Sequence, residues 1–544
     1  MIPDSATERF PSRAIPGANW FLAAVAAGAA LLAWIASVPQ WGGPGLTWDE
    51  AYYYPTFLDV REWVGTVASD PRAALSGEAL FGGWQRIHEL PPVVKWLGAA
   101  ALTFAPESGW GRLAAMRLVP AAAYGITLAL VMAVAGRCAG RGAAVIAGVL
   151  YAALPRVFGH AQIAATESVF ACVTILVAWI AMHDLSRWRW RIPLLLAVGL
   201  ALATKVNGII LVAVLMAWLL SREVLAGKSS YRLLGRMGRD ALLAAGIVAF
   251  APVVAWLVWP WLWHDTAARV AEYIAFIREH SHQGLWFLGR KWNYGAPLAP
   301  MTYPIVMAHL VVPVLILALF YAALGSHVAR AIRSRRIAPH TLLLVFLSLA
   351  PIAAASLPGT PRYDGERLFF PLFAPAAALA GVGLRRLLPR RALPRTPAWL
   401  LVAVAVVALQ ALALRPTVDS YNLIAKMIGR ADSVFPFEQT YWGNALDAKA
   451  IADLNQRIPP NGRVLIRSLQ GDTFAILQSW GVLREDIAFV GDQPCDAHLI
   501  QNRRGFWGNA DWTIFQEREP IAGYGGGVGG EPLIFLYDGR PPGG

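Results

Sequence analysis

Between Asn19 and Leu414 the chain is divided into apolar runs, most of them near the length that crosses a bilayer, with short clusters of arginine between them. A helix rises about 1.5 Å per residue, so about twenty apolar residues span the hydrocarbon core. Lipid offers no partner for an unpaired backbone group, so repeated runs of this kind leave a helical membrane bundle as the fold. The runs lie near 19–38, 113–136, 142–157, 166–183, 192–206, 207–220, 241–259, 304–324, 341–357, 368–384 and 397–414, which predicts about eleven transmembrane helices. Of the 544 residues, 57% are hydrophobic and 15% charged, which is too apolar for a soluble chain of this length.

The formal net charge of +13 comes from arginines clustered between the apolar runs, not from a continuous basic face. Nucleic acid is therefore excluded as a partner, and the lipid bilayer takes its place. With the N-terminus inside, Arg137 and Arg141, Arg187 to Arg191, Arg222 to Arg239, Arg330 to Arg336 and Arg385 to Arg395 all become cytoplasmic. Arg9 and Arg13 precede a first run long enough to span, which reads as a retained helix and not as a cleaved signal peptide. The three cysteines, Cys138, Cys172 and Cys495, fall in different expected compartments and give no disulfide framework. His280-Ser281-His282 reads as loop, and neither a metal nor another cofactor is expected.

On this topology three segments lie outside. The first loop, 39–112, contains the short apolar stretch Pro91 to Phe104, expected as a helix that lies at the interface or re-enters it. The second, 259–303, contains an amphipathic helix from Ala267 to Arg278, with Trp259, Trp261, Trp263, Trp286 and Trp292 around it as interfacial anchors. The third is the polar tail, 415–544, where Asn444 to Arg457 and Thr473 to Trp480 read as helices. Arg463 to Arg467, Ile487 to Val490 and Leu533 to Tyr537 read as strands, and Gly523 to Gly530 as a loop. The expected fold is a polytopic α-helical membrane protein, with a transmembrane catalytic part over 1–414 and a small α/β accessory domain.

Five motifs carry charge at outer helix ends. In Thr47 to Pro55, Thr47 suits an N-cap and Glu50 the third position of a capping box. A helix there puts Asp49 on one face with Tyr52 and Tyr53 and turns Glu50 elsewhere. Asp49 is thus the candidate base, Glu50 its support, and Tyr52 and Tyr53 line the substrate. The others are His88 to Trp96, with Lys95; Ala164 to Ser168, with Glu167; Gly199 to Gly208, with Lys205; and Pro361 to Arg367, with Arg362 and Arg367. Acids and cations gathered at one interface suit a reaction in which a carboxylate takes a proton and cations steady a departing lipid phosphate. His88, Lys95, Lys205, Arg362 and Arg367 are the candidate phosphate ligands; Asp49, Glu50 and Glu167 are the candidate catalytic acids.

The ordered set TWDEAYYY, HELPPVVKW, GLALATKVNG, GERLFFPLFAP and FEQTYWGNALDAKAIADLNQ resembles the membrane glycosyltransferases of the GT-C class. Within that class it is similar to the bacterial protein O-mannosyltransferase and aminoarabinose-transferase-like group. Glu89 and Leu90 stand between His88 and the prolines, and Glu167 stands where members more often carry Asp. The resemblance implies a polyprenyl-phosphate-linked sugar donor, inverting transfer without a nucleotide sugar, and Asp49 as base; the topology puts the reaction outside the plasma membrane, and a glycan, lipid or protein acceptor stays open. The competing reading is a polytopic lipid or sugar transporter, for which inverted repeats and mid-membrane polar groups are the expected signs.

Overall fold

Alanine lets the helices Ala18–Ser37 and Leu118–Ala139 approach closely: Ala29, Ala33, Ala121 and Ala135 are all 5% exposed or less. Lipid tails are as apolar as leucine, so helices in a bilayer associate through close packing of small residues of this kind. The computed structural model describes residues 18–226, 232–279, 282–293, 295–388, 405–414, 417–431, 434–491 and 494–539. Arg9, Arg13, His280, Ser281, residues 227–231, 389–395 and 397–404 of the segments named above lie outside them.

Among the described residues, five helices are long and apolar enough to cross a membrane: Trp20–Ser37, Gly109–Ala139, Gly208–Leu225, Leu234–Leu257 and Val314–Ser334. Shorter apolar helices cover Arg141–Ala152, Thr166–Ala181 and Pro339–Ala355, and Trp188–Leu202 and Phe373–Leu387 fill two further runs. The run expected at 304–324 is not one helix. Pro313 has no N–H to donate and holds Val312 extended (φ −90°, ψ 131°), so the run splits into Tyr303–Val311 and Val314–Ser334.

The first loop is largely helical, with Trp48–Ser69, Gly77–Trp84 and Pro92–Thr103 packed on one another. The second loop carries the amphipathic helix Thr266–Arg278 and a hairpin that was expected as loop, β1 (Leu285–Phe287) and β2 (Arg290–Trp292). Its turn is Leu288-Gly289, both at positive φ (55° and 72°), the two-residue geometry that matches the twist of the strands. The tryptophans expected as interfacial anchors are in part core residues. Trp259, Trp261 and Trp292 are 3%, 2% and 7% exposed, and the first two pack in a cluster with Trp63 and Trp84.

The tail forms a five-stranded mixed sheet in the order β4-β3-β5-β7-β6. Its strands are β3 (Arg463–Arg467), β4 (Ala488–Val490), β5 (Ala497–Gln501), β6 (Ala522–Tyr524) and β7 (Ile534–Asp538). β3 is parallel to β4 and β5, while β7 is antiparallel to β5 and β6. Helix Ala448–Arg457 begins later than expected because Asp447 caps it, accepting from the Lys449 and Ala450 N–H groups at 3.0 and 2.9 Å. Gly523 belongs to β6 and not to a loop. The tail also shares a hydrophobic core with the first loop: Leu46, Ala51, Tyr53 and Phe57 pack in one cluster with Tyr441, Trp442, Ile451 and Leu499.

Candidate active site at the start of the first-loop helix

Thr47 opens the helix Trp48–Ser69 with a complete capping box: its hydroxyl accepts the Glu50 N–H at 3.4 Å, and Glu50 Oε2 accepts the Thr47 N–H at 3.1 Å. Glu50 is fully buried and is gripped by Arg117, whose Nε and Nη2 each donate to it at 2.7 Å. The Ala164 N–H adds a bond of 2.8 Å. Arg117 gives its other donors to the carbonyls of Ser37, Pro44 and Gly45, each at 2.6 Å. A guanidinium has five N–H groups, so Arg117 is saturated, and Glu50 with it forms a joint between elements and not an open acid.

Asp49, one residue earlier, points the other way, as the helical spacing predicts. It keeps 17% of its side chain exposed, accepts the Tyr53 hydroxyl at 3.2 Å and pairs with the Nη2 of Arg367. Arg367 is the centre of the cluster. Its Nε donates to Glu167 Oε1 at 3.0 Å, its Nη1 to Asp364 at 3.1 Å, and its face lies 4.3 Å from the Trp442 ring. Lys205 donates to the same Glu167 oxygen at 2.8 Å. The turn that delivers Arg367 has two left-handed residues in succession, Asp364 (φ 53°) and Gly365 (φ 64°), and a Cβ at Gly365 would collide with the Tyr441 hydroxyl. Burial pushes the Asp49 carboxyl above the usual carboxylate range, against the opposing pull of Arg367.

The other expected residues lie outside the Arg367 cluster. Arg362 is 3% exposed and donates to the carbonyls of Ala355, Ala299 and Leu357, where it closes the end of the helix Pro339–Ala355. Lys95 is fully buried; its ammonium donates to the carbonyls of Ile87 and Arg86 at 2.7 and 3.2 Å, and burial pushes its pKa down to about 7. His88 stacks on Trp261 at 4.8 Å and meets Glu272 of the second-loop helix at 3.1 Å. Tyr52, 45% exposed, donates to Glu89 at 3.3 Å, which joins the Asp49 helix to the His88 turn. Among the described residues no group of three or more His, Cys, Asp or Glu side chains is arranged to hold a metal ion.

The sequence reading missed several members of the site. Asp364 lies within a quoted motif, but no spacing marks it as a ligand of both Arg367 and Arg503, the latter at 2.8 Å. Arg156 and His160 both hold Glu366, at 2.6 and 3.0 Å. The loop before the helix Phe373–Leu387 is thereby anchored beside Arg367. Trp442 and Arg503 come from the tail, and only the folded chain brings them to Asp49.

Residues 89–259 match the family described as dolichyl-phosphate-mannose-protein mannosyltransferase; Lys95, Glu167 and Lys205 lie inside that range, Asp49 and Arg367 outside it. A comparison with curated proteins found no match. Among solved structures, ArnT from Cupriavidus metallidurans bound to undecaprenyl phosphate is 17% identical and has a TM-score of 0.51; the match covers 97% of this chain and 99% of that one. The apo state of the same protein is 16% identical, with a TM-score of 0.53 over 96% of this chain and 98% of that one. Over residues 89–259 the chain is thus similar to the protein mannosyltransferase family, and along its length it has the multi-pass helical membrane fold of ArnT.

Proposed function

We propose that the chain moves a sugar from a polyprenyl-phosphate-linked donor to a hydroxyl of a glycan, lipid or protein acceptor, with inversion at the anomeric carbon. One observation carries this reading: Asp49, Glu167, Lys205 and Arg367 converge, and Asp49 and Arg367 each keep about a sixth of their side chain exposed (17% and 16%). Asp49 takes the acceptor proton as the oxygen attacks the anomeric carbon. The bond to the lipid phosphate breaks on the opposite face, and the electron pair leaves with the phosphate. Arg367 and Lys205 then steady the dianion, and Glu167 holds the two cations in place. Lys95 supplies a third cation: an ammonium has three N–H groups, and two are given to carbonyls. The undecaprenyl phosphate bound to ArnT supports a donor of this chemical class.

About eleven spans with basic loops on the inner side support a cytoplasmic N-terminus, and an extracytoplasmic active site and tail at the plasma membrane. Labelling of an exposed tail position, Glu485→Cys in a chain freed of its native cysteines, from the outside only is the expected result; labelling only from the cytoplasmic side refutes it. The function itself is tested with purified protein in lipid, radiolabelled polyprenyl-phosphate sugars and extracted membrane acceptors. Transfer of label with inversion is expected; movement of the lipid across the bilayer without transfer overturns the reading.

A further inference from the structure

Resting on the transferase reading, we propose that Trp442 of the tail is a positioning residue: its indole ring fixes the plane of the Arg367 guanidinium so that the N–H groups point at Asp49, Glu167 and Asp364. Trp442 and Asn444 are both tied to the loop that starts the Asp49 helix. The Trp48 N–H donates to the Trp442 carbonyl at 2.9 Å, and the Gly45 N–H to the Asn444 carbonyl at 2.8 Å. The fit is close enough that a Cβ at Gly45 would collide with the Leu446 carbonyl. Glu438, Gln439, Thr440, Tyr441, Trp442 and Asn444 are all 6% exposed or less, so this stretch of the tail is interior to the protein.

Among the described residues the ring has one cationic neighbour and no polar anchor of its own. Arg367 lies over it at 4.3 Å, while the His160 ring meets it edge-on at 5.6 Å and Tyr441 is tilted at 5.8 Å. The indole N–H is buried without a hydrogen-bond partner among the described residues. A side chain needed only to fill this space would be cheaper without that N–H, since burying an unpaired donor costs free energy. What indole offers over phenyl or an alkyl group is a more negative face for a cation. The guanidinium uses both kinds of surface: its edge donates to three carboxylates, and its face rests on Trp442. Because the backbone of Trp442 is tied to Trp48, one residue of the tail sets both halves of the Asp49–Arg367 pair.

The test replaces the ring and leaves the backbone bond in place. Trp442→Leu removes the π face, and Trp442→Phe weakens it. Each full-length variant is purified, checked for a monodisperse folded state, and assayed for polyprenyl-phosphate-sugar transfer across pH. The Leu variant is expected to lose about tenfold in kcat/KM, the Phe variant about two- to threefold. The acid limb of the profile moves to higher pH in the same order, because Arg367 is the cation that holds the Asp49 carboxyl down, while Glu167 and Asp364 raise it and Tyr53 donates to it. A merely structural loss would lower the amount of active protein and leave the limb where it is. A folded Leu variant with the wild-type kcat/KM and acid limb overturns the proposal. If that variant does not fold, a Phe variant with an unmoved limb and full kcat/KM does so. A wild-type protein that transfers no sugar overturns the transferase reading instead; the placement is then decided by a structure of the Leu variant, where an undisturbed Arg367–Asp49 pair overturns it.

Discussion

Arg367 grips Asp49 through both terminal nitrogens, Nη2 in direct contact and Nη1 at 3.5 Å, across 318 residues of sequence. The candidate base and the candidate phosphate ligand therefore belong to one cluster; in an in-line displacement the attacking and leaving oxygens stand on opposite faces of the sugar carbon, so the sugar of the donor has to seat between the two groups. Glu167 completes the arrangement by taking Nε of Arg367 and Nζ of Lys205 on one oxygen, so the two cations are held together before a phosphate arrives.

Asp49→Asn is expected to lower sugar transfer by about 10²–10⁴-fold, because the amide keeps the size and much of the hydrogen bonding but accepts no proton in the transition state. Folding and donor binding should be retained, since the side chain is partly open and tied to one helix turn and one guanidinium. Steady-state transfer assays beside a donor-binding titration check this. Turnover near that of the wild type places the base elsewhere, with Glu167 the next position to test.

Glu50→Gln is expected to act on the fold. The carboxylate takes both arms of Arg117, a helix cap and the Ala164 N–H, and both ion-pair partners are fully buried. Removing one partner of a buried pair costs about 3–5 kcal/mol. Thermal unfolding in detergent should show a large drop in Tm, with the remaining folded protein still active. A stable Glu50→Gln variant that transfers no sugar would exchange the roles of the two acids.

The KM for donor is expected to rise with pH through about 7. Burial lowers the Lys95 pKa to about 7, so below that pH the ammonium carries its charge and offers its third N–H to the phosphate; above it the amine is neutral. Lys95→Arg stays charged throughout and should flatten the dependence. A flat wild-type profile across pH 6–8 would remove Lys95 from the donor site.

How far the sequence could be read follows from what each residue answers to. Local rules reached the helix at Trp48–Ser69, because Thr47 and Glu50 form their capping box within four residues, and they separated Asp49 from Glu50 by helical spacing alone. The same rules misassigned Arg362. An arginine before a helix reads alike whether it serves a ligand or carbonyls, and only the fold shows that Ala299, Ala355 and Leu357 take its donors. The β1–β2 hairpin was hidden because Leu288 at positive φ gives no turn signal. β5 was missed because Ala-His-Leu-Ile-Gln is buried at every position and so shows no alternation. Trp442 and Arg503 were out of reach for another reason: no local pattern ties the tail to a loop some 400 residues earlier in the chain.

Glu438 makes stability depend on pH in a direction that differs from that of an ordinary ion-paired carboxylate. It joins the hairpin to the tail, accepting the Trp286 and Gly505 N–H groups at 3.1 Å each, and burial pushes its pKa up to about 7. The folded state thus holds the proton more tightly than the unfolded chain, whose carboxyl titrates near 4.5. Below about pH 4.5 both states are protonated and the contribution is fully present. Between 4.5 and 7 the folded state binds more protons, so stability falls as pH rises, and above 7 the loss is complete, on the order of 3 kcal/mol at most. Thermal unfolding should therefore give a lower Tm at pH 8 than at pH 5.5. Glu438→Gln keeps an acceptor for both N–H groups and carries no charge, so its Tm should exceed that of the wild type at pH 8 and converge with it near pH 5. Asp419, raised to about 6 by burial, and Lys95 titrate alike in both proteins and cancel in the difference. Two curves that stay parallel from pH 5 to 8 would show that Glu438 keeps an ordinary pKa and that the hairpin is held without it.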